Sequence, residues 1–193
     1  MEAETKIEYI RTKQAEHLIR ILPLLESYLL SLQEELTLTH LKGRRGMLSD
    51  EAIFYALIGN KPLSDMPRSA PTPGDRMNNI VANKDKVLDH AYDETIIAIT
   101  DELIRFKELV DKLHFALECL SENQQYIVKW FYTSGTSRKS WKELMADLNL
   151  AEATARKERD EAITKIITVS RITMWLYQYC AERVEVEERE KAE

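Results

Sequence analysis

The stretch on which the fold turns is SWKELMADLNLAEATARKERDEAITKI, Ser140–Ile166. Leu144, Met145 and Leu148 give a helix of about two turns one apolar face, and Asn149 follows directly. After Gly, Asn is the residue that best tolerates the left-handed backbone region, so it marks a tight turn between two helices. Leu150 then plugs the turn. Ala151–Ile167 reads as one further helix with Ala155, Ala162 and Ile166 facing inward. Glu152, Ala153, Arg156 and Lys157 fall on its outward face, within the first turns.

Upstream, LSENQQYIVKWFY opens with Ser121 and carries Gln124 three residues on, the spacing of a capping box at a helix start. Ile127, Val128, Trp130 and Phe131 form the apolar face of that helix. It is expected to stop in TSGTSRKS, where Gly135 is the natural terminator and Ser137 or Ser140 can cap the helix that follows. Three short helices in this order form a helix-turn-helix, whose last helix enters the major groove with its first turns against the base edges. The chemistry suits duplex DNA. Arg156 can bond O6 and N7 of a guanine, Glu152 can accept from a cytosine amino group, and the Ala153 methyl can lie on a thymine methyl; Lys157 completes the base-facing set. Arg138, Lys139, Lys142, Thr154 and Lys165 suit phosphates, which fix register without reading sequence. The same pattern also fits an amphipathic bundle helix with a solvated charged face, and the three-helix spacing around Asn149 favours the DNA reading.

The segment Leu120–Ile167 resembles region four, the C-terminal promoter-binding module of bacterial sigma factors. The matching features are LSENQQYIVKWFY in place of that module's first helix, Glu143-Leu144 before the turn, Leu148 closing the second helix, Thr154 early in the third, and Ala162 followed by Ile166. The resemblance covers about a quarter of the chain. Ala155 stands where region four usually carries a bulkier Val or Ile. Nothing resembles the aromatic-rich region with which a complete sigma factor melts DNA. The whole layout is similar to the phage-encoded transcription regulators of the RinA and ArpU type. That resemblance implies a phage or prophage protein that activates late or packaging genes, with RNA polymerase as a further partner.

Two apolar patterns organise the rest. Leu18, Leu22, Leu25, Leu29, Leu32 and Leu36 alternate steps of four and three, as do Ile96, Ile99, Leu103, Phe106, Val110, Leu113, Leu117 and Leu120. These seams suit either an antiparallel hairpin within one chain or a homodimer. Pro23 lies inside the first, which predicts a kink or boundary near Leu22. Gly43 and Gly46 break the pattern, Ser49 or Asp50 can cap a short helix through Leu57, and Pro62, Pro67, Pro71 and Pro73 forbid a continuous helix between them. The expected organisation is a helical N-terminal unit (1–58), a Pro-rich linker (59–74), a long helix (75–119), the DNA-binding module (120–168), and a C-terminal helix with a charged tail (169–193). Ile172, Trp175, Leu176 and Tyr179 make an apolar stripe on that last helix, expected to pack on the module or on a second subunit.

Composition sets the remaining bounds. With 193 residues, 44% hydrophobic and 31% charged, and only five Gly and five Pro, the chain is expected to fold as an all-α protein. A net charge of −6 argues against a sequence-blind grip on polyanions, so any DNA contact must be local. Between Ser121 and Thr168 eight Lys and Arg meet seven Asp and Glu, whereas the last twelve residues hold three against six, which places any such contact in the former segment. Cys119 and Cys180 lie outside any C-x-x-C pair, and His17, His40, His90 and His114 form no ligand-spaced pair, so no metal or cofactor is expected. Neither a catalytic constellation nor a Gly-rich phosphate loop is present, and an enzyme is not expected. No apolar run approaches the roughly 20 residues of a membrane span, which points to the cytoplasm and reduced thiols. The competing function is a helical adaptor or assembly protein working through protein–protein contacts.

Overall fold

The computed structural model describes residues 7–43, 73–133 and 141–192, with the side chains of 73–88, 133, 141 and 187–192 left aside. Among the described residues the chain is all-helical: α1 (Thr12–Lys42), α2 (Pro73–Glu118), α3 (Glu122–Val128), a π-helical turn (Lys129–Thr133), α4 (Trp141–Leu148), α5 (Glu152–Ser170) and α6 (Met174–Ala192). The expected short helix through Leu57, the linker up to Thr72, and the terminator and caps at Gly135, Ser137 and Ser140 lie outside the described residues. No described helix is long and apolar enough to cross a membrane.

The chain divides into two compact units, Met1–Leu30 with Ile104–Glu193, and Ser31–Leu103, so each long helix contributes to both. In the smaller unit, Leu32 and Thr39 of α1 and Ile99 of α2 are buried, and His40 Nδ1 shares a 2.9 Å hydrogen bond with Tyr92 Oη. Gly43 ends α1 with φ at +62°, a left-handed residue that donates its N–H to the Thr39 carbonyl at 3.0 Å. Pro73 occupies the first position of α2, where its missing N–H costs no helical bond.

The larger unit holds the main core. Leu18, Ile19 and Leu25 of α1, Phe106, Leu109 and Leu113 of α2, Ile127, Leu144, Ile163, Ile166, Ile172 and Cys180 are all essentially inaccessible to solvent. Tyr28 lies against Phe106 with ring centroids 4.5 Å apart, and His114 Nε2 hydrogen-bonds Glu26 Oε1 at 2.7 Å, so the first half of α1 and the second half of α2 touch within one chain. Phe106 in turn meets the edge of Tyr179 on α6. His17 on α1 bonds Tyr177 Oη at 3.1 Å, and Tyr9 pairs with Thr173 through Ile10 N–H to the Ile172 carbonyl and Met174 N–H to the Glu8 carbonyl.

Pro23 does not end the helix. α1 runs through it, although the Ile19 carbonyl loses its partner at a usual cost of about 3 kcal/mol. Pro23 sits on the exposed side, and the buried side chains of Leu22 and Leu25 next to it hold both arms of the helix in the core. The apolar stripe expected on the last helix is split: Ile172 lies before α6 and is buried, Leu176 on α6 is buried, and Trp175 is 58% exposed, stacked on Tyr179 with the Arg105 guanidinium 5.2 Å from its ring centre.

Two described non-Gly residues, Asn149 (φ 52°) and Arg171 (φ 45°), take the left-handed conformation. That conformation costs an L-residue roughly 1–2 kcal/mol, less for Asn than for Arg. Arg171→Gly should therefore raise the urea midpoint by the equivalent of about 0.5 kcal/mol, after the greater entropy of unfolded Gly is deducted, and Asn149→Ala should lower it by about 1 kcal/mol. A lower midpoint for Arg171→Gly would show that its side chain does more than tolerate the turn.

Candidate functional site

The surface around α5 is built from the first helix of the module upward. Ser121 Oγ accepts from Gln124 N–H at 3.3 Å and Gln124 Oε1 accepts from Ser121 N–H at 3.3 Å, the reciprocal capping box expected from the sequence. Gln124 is buried, and its Nε2 donates to Glu158 Oε2 at 3.0 Å, a polar strut between α3 and α5. Ile127 and Val128 are buried on the same helix. Beyond them the chain widens into the π-helical turn, which places Trp130, Phe131 and Tyr132 in succession. Trp130 is half-buried, with its indole Nε1 buried and unpaired among the described residues. Tyr132 Oη donates to Glu16 Oε1 of α1 at 2.9 Å, and the Arg20 guanidinium lies 5.4 Å from its ring centre.

α4 buries Leu144 and half-buries Met145 and Leu148. Tyr126 Oη on α3 donates to Asp147 Oδ2 at 2.9 Å, and that bond is the main cause of the raised pKa of the tyrosine. At the end of α4, Asn149 N–H reaches the Ala146 carbonyl at 3.4 Å and Leu150 N–H the Met145 carbonyl at 3.2 Å. These are the two bonds of a Schellman turn, closed by the left-handed Asn149. α5 begins after Ala151, which supplies no side-chain cap; Glu152 in the first turn complements the helix dipole instead.

On α5 the inward residues are Ala155, Ala162, Ile163 and Ile166. Glu152, Ala153, Thr154, Arg156, Lys157 and Lys165 are all exposed, and Lys142 is exposed on α4. Arg138 and Lys139 lie outside the described residues. Ala153, Arg156, Lys157 and Lys165 border one open depression along α5, together with Asp160 and Glu161. Of the four residues read from the sequence as base-facing, Ala153, Arg156 and Lys157 border this depression and Glu152 does not, although all four are exposed. They are not independent, however. Arg156 donates from Nε at 3.0 Å and from Nη2 at 2.6 Å to the same Glu152 Oε1, and Lys157 Nζ lies 3.5 Å from Glu161 Oε1.

Glu161 escaped the sequence reading, although its i,i+4 spacing from Lys157 was the available signal. Arg159 was also missed. It is half-buried, bonded to Asp160 and packed 5.9 Å from the centre of Phe131, so it braces the π-helical turn and is not part of the exposed face.

Burial first, and then the bond to Glu16, hold the Tyr132 hydroxyl well above the ordinary tyrosine value. Its contribution to stability is complete below about pH 10, where the unfolded chain also keeps its proton, and is lost as pH rises from there toward the folded pKa. The urea midpoint of the wild type should fall more steeply above pH 10 than that of Tyr132→Phe; parallel curves would remove Tyr132 from this anchor. Gln124→Ala breaks the capping box and strands Glu158, and should cost about 1–2 kcal/mol in the same assay. No family model, curated protein or solved structure matches this chain.

Proposed function

We propose that the exposed face of α5 reads duplex DNA and that α3, α4 and α5 act as a helix-turn-helix of the kind that sigma region four uses. The observation that carries this reading is the Schellman turn at Asn149, which buries Ala155, Ala162 and Ile166 and leaves Glu152, Ala153, Arg156 and Lys157 accessible on the first turns of α5. A helix presented in this way meets base edges with its N-terminal residues. Lys142, Thr154 and Lys165, all exposed, serve as phosphate donors in this reading. The resemblance to phage regulators of the RinA and ArpU type makes the biological role control of phage or prophage genes, late ones first, inside the bacterial cytoplasm. RNA polymerase is the second partner in this account, met by the surface that carries Tyr126 on α3 and Lys129 at the start of the π-helical turn, both exposed.

A second reading, a helical adaptor or a homodimer built on protein contacts, is favoured by Leu30, Ile104 and Phe115, large apolar side chains more than half exposed on α1 and α2. The two readings part on one experiment. Genomic fragments retained by the full-length protein at physiological salt should share a sequence. Arg156→Ala should weaken binding to them by about 1–3 kcal/mol and relax preference at one base pair. Lys142→Ala should instead weaken all duplexes alike and reduce the salt slope by about 1. Retention without a shared sequence, or unchanged binding by a folded Arg156→Ala protein, would leave the adaptor reading in possession.

A further inference from the structure

We infer that Glu152 and Glu161 are selectivity residues, holding Arg156 and Lys157 in place and shielding them from phosphates, so that only a duplex with the right base edges is bound well. This rests on the DNA-reading proposal for α5 and adds to it a device for rejecting the wrong sequence. The helix carries Arg156, Lys157, Arg159 and Lys165 against Glu158, Asp160 and the two glutamates, four charges of each sign, so its formal net charge is zero. Within the exposed face the compensation is local. Arg156 has Glu152 one turn before it, with a single carboxylate oxygen taking both Nε and Nη2, and Lys157 has Glu161 one turn after it.

Two consequences follow from that geometry. A guanidinium bonded through two nitrogens to one oxygen has a preferred plane relative to the helix, which lowers the ordering cost of a bidentate contact with a base. A random duplex, by contrast, offers these cations phosphates that the neighbouring carboxylates repel, and non-specific binding depends almost wholly on that electrostatic gain. Each glutamate thus lowers affinity for any duplex and lowers it least where a base edge engages the arginine. Glu152 is here a positioning residue for Arg156, in place of the cytosine acceptor that its position on the helix first suggests.

The test uses the full-length protein, a duplex pool of randomised sequence, and the duplex that the wild type enriches from it. Glu152→Gln and Glu161→Gln keep the size of the side chain and remove the charge; Glu161 lies away from the start of α5, so its substitution leaves the helix terminus untouched. Each variant should bind the random pool about fivefold more tightly at low salt, as expected for one like charge removed near a surface contact. Its salt slope should steepen, and the ratio of enriched to random affinity should shrink. Unchanged affinity for the random pool, or a rise that is equal for both duplexes, overturns the inference. So does loss of preference for a cytosine in Glu152→Gln with the guanine preference intact, which would make Glu152 a reader. If Arg156→Ala abolishes the enriched preference while the glutamine variants behave as wild type, the DNA-reading proposal stands and this inference alone falls. If neither wild type nor the doubly substituted protein binds any duplex, both fall.

Discussion

The left-handed turn at Asn149 is the constraint from which the arrangement of the larger unit follows. Two backbone bonds reverse the chain over Leu148–Leu150, and the conformation that permits them is one most side chains resist. Once the chain has turned there, α5 has one orientation in which Ala155, Ala162, Ile163 and Ile166 enter the core. The residues one turn apart on its other side are exposed and pair with one another, Arg156 with Glu152 and Lys157 with Glu161. A change at Asn149 would thus act on stability and on the presented surface together.

The small residues of α5 determine how closely its neighbours approach. Ala155 and Ala162 are fully buried, and the polar strut from Gln124 to Glu158 spans to α3 within 3.0 Å. Where a bulkier residue would anchor the helix by its own volume, this chain uses surrounding elements. Tyr132 is tied to Glu16 on α1, Arg159 braces Phe131, and Tyr9 pairs with Thr173 beside the left-handed Arg171. The first turns of α1 and the last helix are therefore parts of the same core as α3–α5. Their removal would expose Leu18, Ile19, Leu22 and Leu25 partners at a cost of several kcal/mol for each large side chain lost.

Local rules carried the sequence reading where the cause was local. The Ser121–Gln124 box and the Asn149 turn depend on residues three or four apart, and both were legible in advance. The apolar seams were legible in outline. Leu18, Leu22, Leu25, Leu32, Ile99, Phe106, Val110, Leu113 and Leu120 are buried, but so is Leu109, which lies off the alternation because α2 also meets other helices. Long-range causes left no such mark. Nothing in the neighbourhood of Pro23 announces that packing will carry a helix through it, and Arg171 lacks the Gly or Asn that signals a left-handed cap. The pairing of Arg156 with Glu152 was present in the spacing, yet reading each residue for its own base contact concealed it.

The most direct test of the account is amide hydrogen exchange on the full-length protein with and without a duplex that it enriches from a randomised pool. Protection should appear over Glu152–Lys165 of α5 and in α4 around Lys142, while α2 and α6 exchange as in the free protein. Protection confined to α2 or α6, with α5 unchanged, would contradict the claim that this helix meets DNA and would move the functional surface to the exposed apolar side chains of the long helices.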